Sequence, residues 1–212
     1  MADPRPLSTT SYAILGLLSL RPWTTYELAQ QMQRALGQFW PRAESKLYEE
    51  PKKLVEHGLA KATLEHVGKR PRTLYAITPA GRKALRAWMP TPSEGPVIEF
   101  EALIKVFFAE HGTKADLEAA IGATEAWVAQ RYADSEGISQ GYLDGTGAFP
   151  ERLPWLILCG GFLTEHLKAV ERWAEWARAT VAEWPDDLTA AEPDLDKLRE
   201  MVATLERYRA KA

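Results

Sequence analysis

The segment from Ala43 to Thr78 constrains the fold more than any other part of this chain. It opens with a helical pattern in which Leu47, Leu54 and Leu59 recur on one face, while polar residues fill the opposite face. Gly58 stands where this helix should end, because glycine readily adopts the positive φ that helix ends require. Two alternating runs follow, joined by a basic turn. The order predicts a helix and then a β-hairpin with a positively charged tip, which is a winged element.

Further helical patterns surround the winged element. SYAILGLLSL, at 11–20, is apolar nearly all round and predicts a buried first helix. The second helix should begin after Thr24, because Glu27 three residues later completes an S/T-x-x-E capping box. Thr78 followed by Pro79 marks the start of another helix behind the wing. This order of elements predicts a winged helix-turn-helix domain over residues 1–89.

The second half of the chain is predicted to be helical throughout. Residues 90–96, rich in proline, form the expected linker, and residues 97–212 form a second domain. An apolar helix is expected to begin at Val97 and Ile98 and to end near His111. Thr113 should cap the next helix, a loop is expected over 139–150, and a long helix over 153–184. The predicted fold class is mainly α: an N-terminal winged helix-turn-helix with a two-stranded wing, followed by an all-helical dimerisation domain.

The last predicted helix begins near Pro193 and carries an apolar seam. Its residues recur at spacings of three and four, as in a helix that packs against a partner helix: Leu195, Leu198, Val202 and Leu205. The seam is shorter than the three to four heptads that indicate a coiled coil.

Charge is distributed unevenly along the chain. Residues 1–90 contain 14 Lys and Arg against 7 Asp and Glu, whereas residues 91–212 contain 12 against 22. A basic first half favours a polyanionic partner for that half alone, although unplanned variation between domains would look similar. The only cysteine is Cys159, which fits a reducing compartment. The apolar run from Tyr12 to Leu20 is too short to span a bilayer, so a cytoplasmic protein with no membrane partner is expected.

A helix-turn-helix binds double-stranded DNA by placing a short helix in the major groove, while neighbouring elements contact phosphates. Basic and hydroxyl-bearing residues on the third helix, at the wing tip and at the start of the second helix are therefore the predicted DNA contacts: Tyr26, Ser45, Lys46, Tyr48, Lys52, Lys53, Lys69, Arg70 and Arg72. The alternative is that the helix lysines form an ordinary solvated face. Glu49 and Glu50 would repel phosphate, and Pro51 removes a backbone hydrogen bond from the helix.

The sequence carries no motif for catalysis or for a cofactor. It lacks a GxSxG elbow, a phosphate-binding loop and a GxGxxG turn. The four histidines are scattered without the spacing of a metal site. A protein that is not an enzyme, with no cofactor and no metal, is therefore expected.

Aromatic residues are frequent in the second half and allow two interpretations. They could line a pocket for a small aromatic effector, or they could form ordinary core and dimer interface, which we favour because aromatic residues dominate both. The candidate effector residues are Phe107, Phe108, Trp155, Trp173 and Trp176.

Three stretches within residues 9–89 resemble the PadR family of bacterial transcriptional regulators: SYAILGLLSLRPWTTYEL, SKLYEEPKKLVEHGLA and GKRPRTLYAITPAGRKAL. The specific elements are T-x-Y-E-L, S-x-L-Y, the G-L that ends the third helix, and Y-x-I-T-P-A-G after the wing. IKVFFAEHGTKADL in the second half is similar to the family's longer helical dimerisation domain. Two positions differ from the family pattern, with Thr25 in place of a frequent glycine and Pro51 in place of an apolar residue.

The resemblance implies a homodimeric repressor whose DNA contacts come from Tyr26, from Ser45 to Tyr48 and from the wing. The dimer would bind a near-palindromic operator and occlude a promoter, because a two-fold protein requires a two-fold site. The alternative hypothesis is a ligand-binding or protein-interaction module that keeps the winged fold without reading DNA. Glu49, Glu50 and Pro51 motivate that alternative.

Overall fold

The computed structural model describes residues 7–67 and 70–210, apart from the side chains of Val67 and Arg70. The chain divides between Pro96 and Val97 into two compact units. The first unit holds four helices and a small sheet, and the second is helical. Within the described ranges, no helix is long and apolar enough to cross a membrane. No group of metal-binding side chains is present in that part of the chain either.

The first unit follows the predicted order of elements. Its helices are α1 (Thr9–Leu20), α2 (Thr25–Leu36), α3 (Glu44–Glu56) and α4 (Pro79–Trp88), and its strands are β1 (Trp23–Thr24), β2 (Ala60–Val67) and β3 (Arg70–Ile77). The capping box at the start of α2 is present, with Thr24 and Glu27 bonded reciprocally. Thr78 caps α4 as expected. The winged helix-turn-helix prediction is thus confirmed.

The core of the first unit is built from the apolar faces of three helices. Its fully buried side chains include Ile14 and Leu15 of α1, Leu28 of α2, and Leu47 and Leu54 of α3. Burying one such aliphatic side chain contributes about 1.5–3 kcal/mol relative to exposing it. The first helix is therefore buried, as its all-round apolar pattern predicts.

The sheet has one strand more than the sequence indicates. Its order is β1-β3-β2, with both pairs antiparallel, so β3 is the central strand. The additional strand is β1, which has only two residues and therefore carries no alternating pattern of its own. Trp23 is buried, and its indole N–H donates to the Leu17 carbonyl at 2.9 Å, which holds β1 against α1.

The start of α4 packs tightly on the start of the wing. A Cβ added at Gly81 would lie 2.1 Å from the Leu59 carbonyl oxygen and 2.9 Å from a side-chain carbon of Ile77. Only a residue without Cβ allows this approach, which accounts for the glycine in the T-P-A-G run.

The second unit contains four helices: α5 (Glu101–Phe107), α6 (Lys114–Leu143), α7 (Leu153–Ala182) and α8 (Leu195–Arg209). Short 3₁₀ turns span Ala109–His111, Pro150–Arg152 and Leu188–Ala190. The expected capping box at Thr113 is present, with Asp116 as its partner. Hydrogen bonds from Thr113 hold the pKa of Asp116 below its usual value.

Two boundaries in the second unit differ from the prediction. Val97 and Ile98 precede α5 in non-regular backbone, which agrees with the lower helix propensity of β-branched residues. The expected loop over 139–150 is helical up to Leu143. The actual stop is Gly145, whose φ of 74° ends the helix, while Gly141 is tolerated inside it.

The core of the second unit lies at one end of the antiparallel α6 and α7 pair. Leu117 and Ile121 of α6 pack with Ala174, Ala177 and Val181 of α7. Farther along, the Tyr132 hydroxyl donates to Glu171 at 3.0 Å. Buried positions continue as far as Val128 of α6 and Leu167 of α7, whereas none of residues 129–143 and 153–166 is buried.

Candidate nucleic-acid interface

The buried face of α3 contains two residues that the sequence does not mark as core. Leu47, Glu50, Pro51 and Leu54 recur at i, i+3, i+4 and i+7, and all four are buried. Glu50 is only 6% exposed, so the expectation that it lies among the surface lysines and repels phosphate is wrong. Its carboxylate faces the interior, where hydroxyl groups of α1 supply the hydrogen bonds that a buried charge requires.

The Glu50 carboxylate joins α3 to the first turn of α1. The Ser11 hydroxyl donates to it at 2.6 Å, and the Ser8 hydroxyl lies 3.5 Å away. Ser8 is also the N-cap of α1 and forms a capping box with Ser11. The carboxylate therefore lies at a helix N-terminus, where the helix dipole stabilises negative charge. This network fixes the orientation of α3.

Pro51 is also explained by burial, since its ring belongs to the fully buried set. It cannot donate the backbone hydrogen bond of a helix interior, which costs about 3 kcal/mol in an exposed helix. Burial of the ring offsets part of that cost, and α3 continues to Glu56. Gly58 then takes a φ of 69°, as predicted. Its N–H and that of Leu59 bond back to α3, which closes the helix with a Schellman motif.

The exposed face of α3 carries the predicted base and phosphate contacts in two groups. Ser45 and Lys52 are exposed seven residues apart, with Tyr48 partly buried between them on the same side. Lys46 is exposed on the other side, next to Lys53. Lys53 is partly neutralised, because its ammonium lies 3.1 Å from Glu50 and 4.0 Å from Glu49.

Tyr26 adjoins this face from the start of α2. It is 64% exposed. Partial desolvation and a hydrogen bond to the Glu44 carboxylate raise the pKa of Tyr48, and a smaller contribution comes from Tyr26. Tyr48, like any tyrosine, keeps its proton at neutral pH and can donate a hydrogen bond. The two phenols flank the exposed side of α3.

The wing residues are only partly described. Lys69 lies outside the described residues, and for Arg70 only the backbone is described. Arg72 lies inside β3, directly opposite Glu65 on β2, and its guanidinium contacts that carboxylate at 2.9 Å. Arg72 is therefore the third residue of β3 and has an ionic partner, whereas the sequence suggested that it lies at the wing tip.

Arg72 also acts on the first turn of α2. The Thr24 backbone N–H, 2.8 Å from the Glu27 carboxylate, is the main cause that lowers the pKa of Glu27. The charges of Arg21 and Arg72 lower it further. The Arg72 guanidinium thus lies within electrostatic range of the first turn of α2.

Arg42 is a candidate contact that the sequence did not bring out. It is exposed immediately before α3, and its guanidinium lies 4.1 Å from the centre of the Trp40 ring. Ala43, the N-cap of α3, makes no side-chain cap, so backbone N–H groups remain available at that end. The sequence did contain a signal for Arg42, because it is a basic residue immediately before the helix that is expected to enter the major groove.

The candidate effector residues do not form one enclosed pocket. Phe107 and Phe108 contact each other edge to face and line an open groove beside α5. Trp173 contacts Phe100, and Trp155 lies under Arg152. The fifth residue, Trp176, faces Lys197 of α8.

Known families match both units of the chain. Residues 14–87 match the Transcriptional regulator PadR-like family, and residues 100–182 match the Virulence activator alpha C-term family. The Negative transcriptional regulator PadR of Bacillus subtilis is 31% identical over 103 residues, which are 46% of this chain and 54% of that protein. A probable transcriptional regulator of Mycobacterium tuberculosis is 31% identical over 83 residues, 38% of this chain and 43% of that protein. The matched region thus spans about half the length of these curated relatives.

Solved structures share the fold over most of the chain. Bacillus subtilis PadR in complex with operator DNA has a TM-score of 0.64 at 23% identity and covers 82% of this chain and 98% of its own. PadR in complex with p-coumaric acid gives 0.63 at 24% identity, with 83% and 100% covered. The Vibrio cholerae virulence activator AphA gives 0.55 at 24% identity, with 82% and 97% covered. These likenesses establish the fold, and the family match over residues 14–87 confirms the resemblance seen in the sequence.

Proposed function

We propose that this chain, whose residues 14–87 match the PadR-like family of transcriptional regulators, is a sequence-specific DNA-binding regulator that acts as a homodimeric repressor. The observation that carries the proposal is the exposed face of α3. That face holds Ser45, Lys46 and Lys52, while the buried face is fixed by Glu50 and the core. A rigid helix with such a face fits the major groove.

The contacts divide by their position around α3. Lys46 and Lys52 are assigned to base edges or phosphates in the groove, and Ser45 to a phosphate or a base edge near the start of the helix. Tyr48 on α3, together with Tyr26 and Arg42 outside that helix, is suited to the phosphate backbone. The wing residues Lys69, Arg70 and Arg72 are assigned to the backbone or an adjacent minor groove.

Glu49 is the residue that opposes this function, since it is exposed on α3. Glu50 and Pro51 no longer argue against DNA binding, because both serve the core of the first unit. The alternative hypothesis, a winged module that does not read DNA, was motivated by three residues, and two of them thus have structural roles. We therefore propose the regulator alone.

The homodimer is proposed from the exposed apolar surface of the second unit. Residues 153–163 of α7 carry no charge, and none of residues 153–166 is buried. Trp155, Ile157, Leu158 and Phe162 are each more than half exposed. A helix that is apolar all round is normally buried, so a partner has to cover this half of α7. A second copy provides an identical surface, and an isologous dimer matches a near-palindromic operator.

A small aromatic effector remains part of the proposal. Support comes from the structure of Bacillus subtilis PadR with p-coumaric acid and from the exposed aromatic residues of the second unit. An effector that binds one dimer arrangement better than another would shift the population of the DNA-binding form. Quenching of tryptophan fluorescence by a panel of aromatic acids tests this, and unchanged fluorescence across the panel would argue against an effector of this class.

Binding to the DNA upstream of the gene for this chain tests the regulator proposal. Fluorescence anisotropy should show tighter binding to that DNA than to a shuffled duplex of equal length, with an affinity that falls as salt rises. Alanine at Lys69, Arg70 and Arg72 together should weaken binding and flatten the salt dependence. Equal affinity for both duplexes, or no binding at low salt, would rule out sequence-specific regulation. Light scattering on the 23.8 kDa chain should give twice that mass.

A further inference from the structure

Two exposed apolar surfaces of the second unit are left open in the single chain. The first, the α5 groove, is concave and lies along α5 and the segment before it. Its apolar lining consists of Ile98, Phe100, Leu103, Ile104, Phe107 and Phe108. The second, the α8 stripe, runs along one face of α8. It consists of Leu195, Leu198, Met201, Val202 and Leu205.

The α8 stripe is unusually exposed for a helical seam. All fifteen residues of α8 are described, and none of them is buried. The stripe residues are between 42% and 68% exposed. Lys197, whose ammonium lies 5.8 Å from the Trp176 ring, connects α8 to α7. An amphipathic helix gains its stability mainly from burying its apolar face, so α8 requires a surface that this chain does not provide in the described arrangement.

The shape of the two surfaces determines what can fill them. The stripe covers two heptads at most, which is too short for a stable coiled coil between two copies of α8. Apolar residues at i, i+3 and i+7 are instead the anchors of a helix that lies in a groove. The α5 groove is apolar, open and available on each copy of the chain.

Charge favours the same pairing. Glu99 and Glu101 lie at the rim of the α5 groove, and only Lys105, 3.0 Å from Glu101, opposes them on α5. Arg209 follows Leu205 by four residues, so it continues the α8 stripe with a positive charge. An acidic rim and a basic end of the stripe are complementary.

We infer that α8 of one copy docks in the α5 groove of a second copy, so that the dimer contains two reciprocal contacts of this kind. The inference rests on the proposed homodimer and specifies which helix each copy exchanges. It predicts that α8 contributes to dimer stability, in addition to the first half of α7. The two contacts are equivalent under the two-fold axis.

The test uses full-length variants of each surface. Val202→Asp places a charge in the centre of the α8 stripe, and Ile104→Asp does the same in the α5 groove. Each variant breaks both contacts of its own homodimer, so the concentration at half-dissociation should rise by about 100-fold or more. Ala203→Asp is the matched control, because it adds the same charge to the opposite face of α8, and it should change this concentration by less than about threefold. Sedimentation equilibrium measures all three.

Mixing the two defective variants separates exchange between copies from docking within one chain. A mixed dimer retains one intact contact, formed by α8 of the Ile104→Asp copy and the groove of the Val202→Asp copy. The mixture should therefore associate about tenfold or more tightly than either variant alone. If α8 docked in the groove of its own chain, both copies would stay defective and mixing would restore nothing, which overturns the inference.

The remaining outcomes are also decisive. A dimer of normal affinity in Val202→Asp would overturn the docking of α8 while leaving the homodimer intact. A monomeric wild-type chain would overturn the proposed homodimer itself and this inference with it. Circular dichroism of each variant at the working temperature shows whether a loss of dimer reflects a loss of fold. The mixing experiment also separates a lost contact from a lost fold, because an unfolded copy cannot restore association.

Discussion

The Glu50 network predicts that one buried carboxylate stabilises the first unit far more than its exposed neighbour. Glu50→Ala removes the acceptor of the Ser11 hydroxyl, a 2.6 Å bond between buried groups. Hydrogen bonds to charged groups contribute about 1.5–3 kcal/mol, and the Ser11 hydroxyl then keeps only its capping-box contacts with Ser8. The ion pair to Lys53 adds little, because that ammonium is half exposed. The lost charge-assisted bond therefore predicts a decrease in unfolding free energy of about 1.5–3 kcal/mol.

Two variants control for this effect. Glu50→Gln keeps a neutral acceptor and should lose about half as much, because charge-assisted bonds are about twice as strong as neutral ones. Glu49→Ala removes an exposed carboxylate and should stay within about 0.5 kcal/mol of the wild type. Urea unfolding followed by circular dichroism gives the free energies. Faster deuterium uptake in α1 and α3 would localise the loss to the first unit.

The same variants distinguish structure from DNA contact. Glu49→Ala should tighten DNA binding, because it removes a negative charge from the exposed face of α3. Glu50→Gln should not tighten DNA binding, because the carboxylate that it replaces faces α1. A Glu50→Ala variant within 0.5 kcal/mol of the wild type, or a Glu50→Gln variant that binds DNA more tightly, would refute this account of α3.

Three further predictions concern single positions. Gly81→Ala should destabilise the first unit by about 1–3 kcal/mol, because the added Cβ would clash with the Leu59 backbone. Gly16→Ala is the control, and it should be neutral or stabilising because the space around Gly16 is open. Thermal unfolding measures both. Glu27→Gln should be less stable than the wild type above about pH 4.5, and the difference should shrink as the pH falls below that value, since the lowered pKa of Glu27 contributes stability that is lost on protonation. A constant difference as the pH falls would contradict that. Arg72→Ala should weaken DNA binding and lower the slope of log affinity against log salt concentration by about 0.9 per phosphate contact. Glu65→Gln should strengthen binding, because it releases Arg72 from its ion pair. Unchanged slopes in anisotropy titrations would show that Arg72 does not contact the phosphates.

Local signals made much of the fold predictable from the sequence. The capping boxes at Thr24 and Thr113 and the glycine at position 58 act within a few residues, so they mark helix ends reliably. The apolar pattern of α1 gave its burial for the same reason. These signals placed the winged unit and most of the helices.

Features that depend on distant partners could not be predicted in this way. Glu50 is buried because Ser11, 39 residues earlier, supplies a hydrogen bond, and no local pattern indicates that pairing. The strand at Trp23 exists because Tyr75 lies opposite it on β3. Arg72 seemed to belong to the wing tip, whereas the hairpin register places it opposite Glu65. Charge in the sequence was thus enough to locate the candidate interface, whereas the orientation of its residues depends on tertiary contacts.

Footprinting of the upstream DNA tests the central proposal most directly. A homodimer that inserts one α3 per half-site should protect two regions whose centres are about 10–10.5 base pairs apart, or a multiple of that spacing. The two regions should be related by approximate two-fold symmetry, with two chains bound per duplex in sedimentation. A single protected half-site, one chain per duplex, or protection without a preferred sequence would contradict the proposed regulator.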